Sequence, residues 1–153
     1  MQFLSYPQPD KNLYETDYDA WLAAQINGLQ QGDIAALDIP HLIEELEGLS
    51  KSNERELESY LIRLLAHLLK WEYQPSMRSG SWEASITNSR DRIERLLDDQ
   101  KSLRSRVGEF LPNAYKSAIK WATKETKLRT DLFPPSCPYS VEQLLDESWL
   151  PLG

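Results

Sequence analysis

The stretch DIPHLIEELEGLSKSNERELESYLIRLLAHLLKW, residues 38–71, decides the fold that the sequence predicts. Asp38 can cap the first turn of a helix and Pro40 is tolerated in that turn, so a helix is expected to begin here. Leucine and isoleucine then recur every three or four residues as far as Trp71, which is the spacing of one helix face. A continuous helix of this length spans about 50 Å, so it either breaks within residues 48–53 or projects toward a partner.

Shorter helical segments flank the long one on both sides. They are predicted over about residues 16–32, 81–97 and 103–128, and a last short helix follows the capping box at residues 140–143. Ser81 is expected to cap the second of these segments, and Pro112 to kink or restart the third. The sequence shows no alternating strand pattern. The expected class is therefore all-α, a single-domain irregular bundle of about five helices with one long central helix.

The N-terminal residues 1–12 are distinct from the rest of the chain. They contain Pro7 and Pro9 and show no periodicity, so they are predicted to form an extended arm. Residues 13–153 are predicted to form the single helical domain, because 153 residues suffice for one substantial core.

Composition indicates a globular protein of the cytoplasm. Hydrophobic residues make up 41% and charged residues 27% of the chain, close to ordinary globular values. The sequence contains neither an apolar run of membrane-spanning length nor the features of a signal peptide, so a soluble, non-exported protein is expected. Cys137 is the only cysteine, which excludes an intramolecular disulfide and a cysteine-rich zinc site.

The charges are segregated along the chain. Residues 1–62 hold 12 acidic and 3 basic residues, whereas residues 101–129 hold 8 basic and 2 acidic residues. The two segments could lie side by side and complement each other, or could keep separate faces solvated. The formal net charge of −7 argues against general affinity for nucleic acids.

Five sequence blocks carry a resemblance to a known family. In chain order they are LYETDYDAWL at 13–22, DIPHLIEELEGLSKSNERELES at 38–59, LLAHLLKWEYQP at 64–75, RSGSW at 78–82 and CPYSVEQLLDESWLP at 137–151. Together they resemble the uncharacterised, mainly cyanobacterial family catalogued as domain of unknown function twenty-nine. The resemblance covers nearly the whole chain and implies an all-helical bacterial protein. It carries no established activity, so sites must be argued from the residues.

One candidate catalytic pair lies on the long helix. Arg63 and His67 are four residues apart and so share a helix face, and a basic residue beside an imidazole can cleave RNA without a metal. The alternative is that His67, which stands among four leucines, is a hydrogen-bonded packing residue.

A candidate binding set occupies the end of the long helix and the turn after it. Its members are aromatic or cationic and could grip a phosphate, a base or a carboxylate by stacking and charge. They are Lys70, Trp71, Tyr73, Arg78 and Trp82. The alternative is that the two tryptophans close the core and Arg78 stacks on them.

Two further patterns concern phosphates and metals. Lys116, Lys120, Lys124 and Lys127 fall on one helical stripe, which could follow a phosphate backbone or serve as a solvated face. His41 and the neighbouring glutamates lack the Glu-x-x-His spacing of carboxylate-bridged metal bundles, so no metal site and no cofactor is predicted.

The preferred function is that of a small interaction or regulatory protein that pairs helices with itself or with another protein. Its expected surfaces are the Glu-rich face of residues 44–58 and the basic and aromatic patch of residues 70–82. The chain lacks the common phosphate-binding, dinucleotide-binding and hydrolase motifs, which disfavours an enzyme. The alternative is a nucleic-acid-directed protein, at the extreme a metal-independent ribonuclease or a toxin–antitoxin component that uses Arg63 and His67. A membrane role is not expected.

Overall fold

The computed structural model describes residues 13–152; residues 1–12, where an extended arm is predicted, and Gly153 lie outside the described residues. Within this range the protein is all-α, which confirms the predicted class. Its helices are α1 (Leu13–Thr16), α2 (Tyr18–Gln30), α3 (Ile39–Tyr73), α4 (Gly80–Asp99), α5 (Lys101–Arg104), α6 (Val107–Thr126) and α7 (Val141–Leu145). Short 3-10 helices lie at Ile34–Ala36, Pro75–Met77 and Thr130–Leu132.

The long helix is confirmed, and it is continuous. Helix α3 contains 35 residues and does not break within residues 48–53, which resolves the alternative that the sequence left open. One glycine among good helix formers costs only about 1 kcal/mol, too little to end a helix that is anchored by packing. The number of helices exceeds the expected five because α1 and α5, of four residues each, were not predicted.

Two helix boundaries differ from those predicted. Ser79, not Ser81, caps α4, and its hydroxyl accepts the Trp82 N–H at 3.2 Å. Pro112 does not interrupt α6, and the chain instead breaks between α5 and α6 at residues 105–106. Pro112 is the sixth residue of α6, so the proline removes one backbone hydrogen bond close to the helix start while the rest of the helix is kept by its buried face.

The described part of the chain divides into two compact units, residues 13–51 and residues 52–152. The first unit holds α1, α2 and the start of α3. The second holds the remainder of α3 and all later helices. The single domain predicted over residues 13–153 stays a prediction.

The first unit has a small core. Asp17 caps α2 by accepting the Ala20 N–H at 3.1 Å, and Gly32, with φ of +64°, turns the chain after the helix. Trp21 is the one large apolar side chain among residues 13–51 that is fully buried. Later residues of α3 contact earlier residues of α2, because Asp38 bonds Trp21 while Glu45 bonds Tyr18. The two helices are therefore antiparallel here.

The second unit contains the hydrophobic core. Six leucine side chains on the C-terminal half of α3 are completely buried: Leu57, Leu61, Leu64, Leu65, Leu68 and Leu69. They pack in one cluster with buried residues of α4, α6 and α7, including Ile93, Ala118 and Leu144. Side chains of more than one face are buried because neighbours cover α3 on several sides.

Side-chain hydrogen bonds join α4 and α6 to the C-terminal part of the second unit. Arg90, which is 4% exposed, donates from Nε to the Leu144 carbonyl at 2.9 Å and from Nη2 to the Gln143 carbonyl at 3.2 Å. Tyr115 donates its hydroxyl to the Pro134 carbonyl at 2.6 Å. The predicted capping box at Ser140 and Gln143 is present at the start of α7. None of the helices within residues 13–152 combines the length and hydropathy that crossing a bilayer requires.

Candidate functional site

His67 lies in the core of the second unit. Its side chain is almost fully covered, and its Nδ1–H donates to the Arg63 carbonyl at 2.7 Å. The ring packs edge-on against Trp121, with centroids 5.6 Å apart. Burial lowers the pKa of His67, so the imidazole is held neutral. The interaction with Arg63 is through its backbone; a catalytic role for this pair stays a prediction.

Lys70 is a buried cation of the second unit. It is 3% exposed, its Nζ lies 2.5 Å from Glu125 Oε2, and it stands 5.0 Å from the centre of the Trp82 ring. The other oxygen of Glu125 accepts the Trp121 Nε1–H at 2.7 Å. Partial burial opposes ionisation of Glu125, but the hydrogen bonds from Lys70 and Trp121 outweigh it and keep the pKa of this carboxyl below its ordinary value. The charge of Lys70 is therefore already compensated.

Arg78 forms a separate contact with Trp71. Its Nε donates to the Trp71 carbonyl at 2.8 Å, and its guanidinium carbon lies 5.0 Å from the ring centre. The Nη2 atom is buried without a hydrogen-bond partner among the described residues. Tyr73 packs edge-on against Phe133. The five predicted binding residues thus form three local contacts inside the second unit, and their use in binding stays a prediction.

The predicted lysine stripe is an exposed surface. Lys116, Lys120, Lys124 and Lys127 are all exposed, and none forms an ion pair with another residue of the range 13–152. Trp121 and Glu125 line an open cleft with the last three of these lysines. An uncompensated row of cations beside an indole is a surface that could contact phosphates.

A polar and aromatic cluster in the first unit was not predicted. Asp38 is 2% exposed and accepts hydrogen bonds from Trp21 Nε1 at 3.0 Å and from His41 Nδ1 at 2.6 Å. Its backbone N–H donates to Gln25 Oε1 at 2.7 Å. Burial opposes the charge of Asp38, but the hydrogen bonds from His41 and Trp21 leave its pKa lowered. The sequence indicates Asp38 only as a helix cap, because spacing within one segment does not show which side chains of another helix contact it.

Two tyrosines complete that cluster. Tyr14 and Tyr18 both donate their hydroxyls to Glu45, the second at 2.7 Å, and the Tyr14 ring stacks on His41 with centroids 4.0 Å apart. These hydrogen bonds raise the pKa of Tyr14 and lower that of Glu45. The described residues contain no group of three or more side chains placed to hold a metal ion. The hydrogen bonds of Glu45 and Asp38 hold α1 and α2 against the start of α3.

The first unit also exposes most of its large apolar side chains. Eight of them are between 43% and 69% exposed: Tyr18, Ile26, Leu29, Ile34, Ile39, Ile43, Leu46 and Leu49. The larger second unit exposes three within the described chain, namely Met77, Leu132 and Leu152. Isolated exposed apolar residues are ordinary, but this concentration within 39 residues is the kind that marks an interaction site.

Comparison with known proteins identifies the family. Neither the curated proteins nor the solved structures contain a significant match to this chain. The family model described as "Domain of unknown function DUF29" matches residues 13–150. This range includes the polar cluster, the exposed apolar side chains and the core of the second unit. The chain therefore belongs to the DUF29 family.

Proposed function

We propose that this protein is a cytoplasmic interaction module whose first unit docks on another protein through exposed apolar side chains of α2 and α3. The observation that supports it is the contrast in apolar exposure between the two units. Trp21 is the only large apolar side chain of residues 13–51 that is buried, whereas the second unit has a full core. A surface of this kind gains free energy when a partner removes it from water.

Exposed apolar side chains of both helices lie on one side of the helix pair. At 100° per residue, Leu29 and Ile26 lie on one flank of α2, and Leu46 and Ile39 lie on the corresponding flank of α3. Since the two helices are antiparallel, both flanks turn to the same side of the first unit. We define the apolar strip as Ile26, Leu29, Ile39, Ile43, Leu46 and Leu49.

The polar cluster gives the strip a fixed shape. Asp38 bonds to side chains of α2, and Glu45 bonds to Tyr14 and Tyr18. These contacts lie at the interface between the helices and use few apolar side chains. Hydrogen bonds thus hold the pair together while the apolar residues stay free for a partner, which reduces the ordering needed on binding.

Site-specific crosslinking tests this proposal. A photo-crosslinking amino acid is placed at Leu46 in the full chain, with the same substitution at Leu132, an exposed apolar residue of the second unit, as the control. We expect position 46 to crosslink one identifiable protein that position 132 does not. Binding is then reconstituted from the two purified proteins, and Ile43→Ser is expected to weaken it. Equal crosslinking at both positions would refute the docking role of the strip.

A second candidate function rests on the lysine stripe. Its four cations are exposed and lack ion-pair partners within residues 13–152, which favours contact with a phosphate backbone. A ribonuclease that uses Arg63 and His67 would in addition require substrate to reach an imidazole that is 7% exposed. Incubation of the purified protein with labelled RNA across a salt series, with both the retained RNA and its cleavage products measured, separates binding from cleavage.

A further inference from the structure

Building on the docking role proposed above, we infer that the partner is an amphipathic helix whose apolar seam is flanked by lysine or arginine. The apolar strip spans two antiparallel helices, and a helix laid along such a pair buries residues at three- and four-residue spacing. The chemistry of the flanks is set by the residues that border the strip on the first unit.

Carboxylates border the strip on both edges. On α2, Asp19 is two helical turns before Ile26 and so lies on the same face at the outer edge, about 10 Å away along the axis. On α3, Glu47 is one turn after Ile43 and lies beside that residue. Asp33 stands next to the exposed Ile34 in the turn between the helices. A ligand seated on the strip therefore meets negative charge on either side.

These carboxylates are available to a partner. Asp19, Asp33 and Glu47 are exposed, and within the described chain none of them forms an ion pair or a side-chain hydrogen bond. Glu44, on the same stretch of α3, is also exposed and unpaired in that range. Three other carboxylates of this unit are used by the fold: Asp17 caps α2, and Asp38 and Glu45 accept hydrogen bonds from side chains of α2 and α1.

The charge of the whole chain is concentrated in this unit. Residues 13–51 hold eight acidic residues and one basic residue, whereas residues 52–153 hold 15 of each. The net charge of −7 thus belongs to the first unit, and the second is balanced. Two first units brought face to face would repel each other, while a basic helix would be attracted and steered. Charge complementarity favours the basic helix over a second copy.

Three synthetic helical peptides test the inference against the full-length protein. All have the same length, and their binding is followed by fluorescence anisotropy. The first has a leucine seam flanked by lysine and arginine, the second the same seam flanked by glutamate, and the third the basic flanks with serine in place of the seam. We expect the first to bind at least about tenfold more tightly than either other peptide, and to lose affinity as salt rises.

Matched variants assign the binding to the strip and its border. Leu46→Ser should weaken binding of the basic peptide by removing apolar contact. Glu47→Gln combined with Asp19→Asn should also weaken this binding and should reduce its dependence on salt. Glu56→Gln, which removes an exposed carboxylate of α3 in the second unit, should leave the affinity unchanged. If Glu56→Gln weakened binding as much as the Glu47→Gln and Asp19→Asn double variant, the placement of the peptide between these border carboxylates would be wrong.

The outcomes distinguish this inference from the function on which it rests. Equal binding of the basic and acidic amphipathic peptides would overturn the charge argument and leave docking on the strip intact. If the protein sedimented as a dimer and Leu46→Ser converted it to a monomer, a second copy would be the occupant of the strip. That result would likewise overturn the inference. Binding that appears only after residues 1–12 are removed would show that the chain's own N-terminal segment covers the strip. Failure of all three peptides together with failure of the crosslinking test would reject both proposals.

Discussion

Leu65→Ala and Leu46→Ala form the most direct test of how α3 is used, because the same substitution is made twice on one helix. Leu65 is completely buried in the second unit, whereas Leu46 is 63% exposed in the first. Truncation of Leu65 loses the transfer free energy of the removed, fully buried atoms and leaves a cavity, so a loss of about 2 to 5 kcal/mol is expected. At Leu46 only about a third of the side chain is covered, so the loss should stay below about 1 kcal/mol.

Urea titration followed by circular dichroism measures both values. The free energy of unfolding is obtained by linear extrapolation, and an unchanged slope shows that the comparison is between the same two states. A loss under about 1 kcal/mol at Leu65 would show that the core is wrongly placed. A loss of several kcal/mol at Leu46 would contradict the exposure of the strip and would mean that another surface covers it in solution. The two results are independent, so each can refute its own part of the reasoning.

Three further outcomes are expected. Burial lowers the pKa of His67, so the unfolded chain binds more protons at this residue than the folded chain does. The free energy of unfolding should therefore fall as the pH drops through about 6.5. Urea titrations between pH 7.5 and 5.5 should show a smaller pH dependence for His67→Gln. Lys70→Ala should destabilise the protein by about 1 to 3 kcal/mol in thermal or urea unfolding. Lys70→Met should destabilise it less, because methionine keeps the packing against the core and Glu125, which is 47% exposed, can turn to water. In a gel assay with labelled RNA, the double variant Lys120→Gln and Lys124→Gln should abolish any salt-sensitive retention, whereas cleavage that survives in His67→Ala would exclude His67 as its catalyst.

The fold could be predicted largely because its signals are local. The repeat of leucines from Leu57 to Leu69 predicts both the helix and its buried side, and Ser140 with Gln143 predicts a capping box within four residues. The errors occurred where a local signal is weak. Four-residue helices such as α5 carry no periodicity, and Pro112 is compatible with either a kinked or a continuous start of α6.

The candidate sites could be predicted only in part. Lys70 and Trp82 were placed in one set, and the structure does bring them together, but it pairs Lys70 with Glu125, which is 55 residues away in the chain. The cluster around Asp38 depends on which helix packs on which, so no spacing within one segment could reveal it. The sequence predicts that residues 44–58 act through their glutamates, but the spacing of the three leucines in this range does not show which of them is covered.

The sequence by itself determined the class of the fold, the continuity of apolar spacing along α3 and the concentration of negative charge in residues 13–51, since these properties follow from the order of residues alone. Only the tertiary structure decided which part of that apolar repeat becomes core. Leu57 and Leu61 are covered by the helices of the second unit, whereas Ile43 and Leu46, which belong to the same three- and four-residue repeat, stay exposed. The reason is physical: burial depends on what packs against a side chain, and a helical repeat specifies a face without specifying its neighbour.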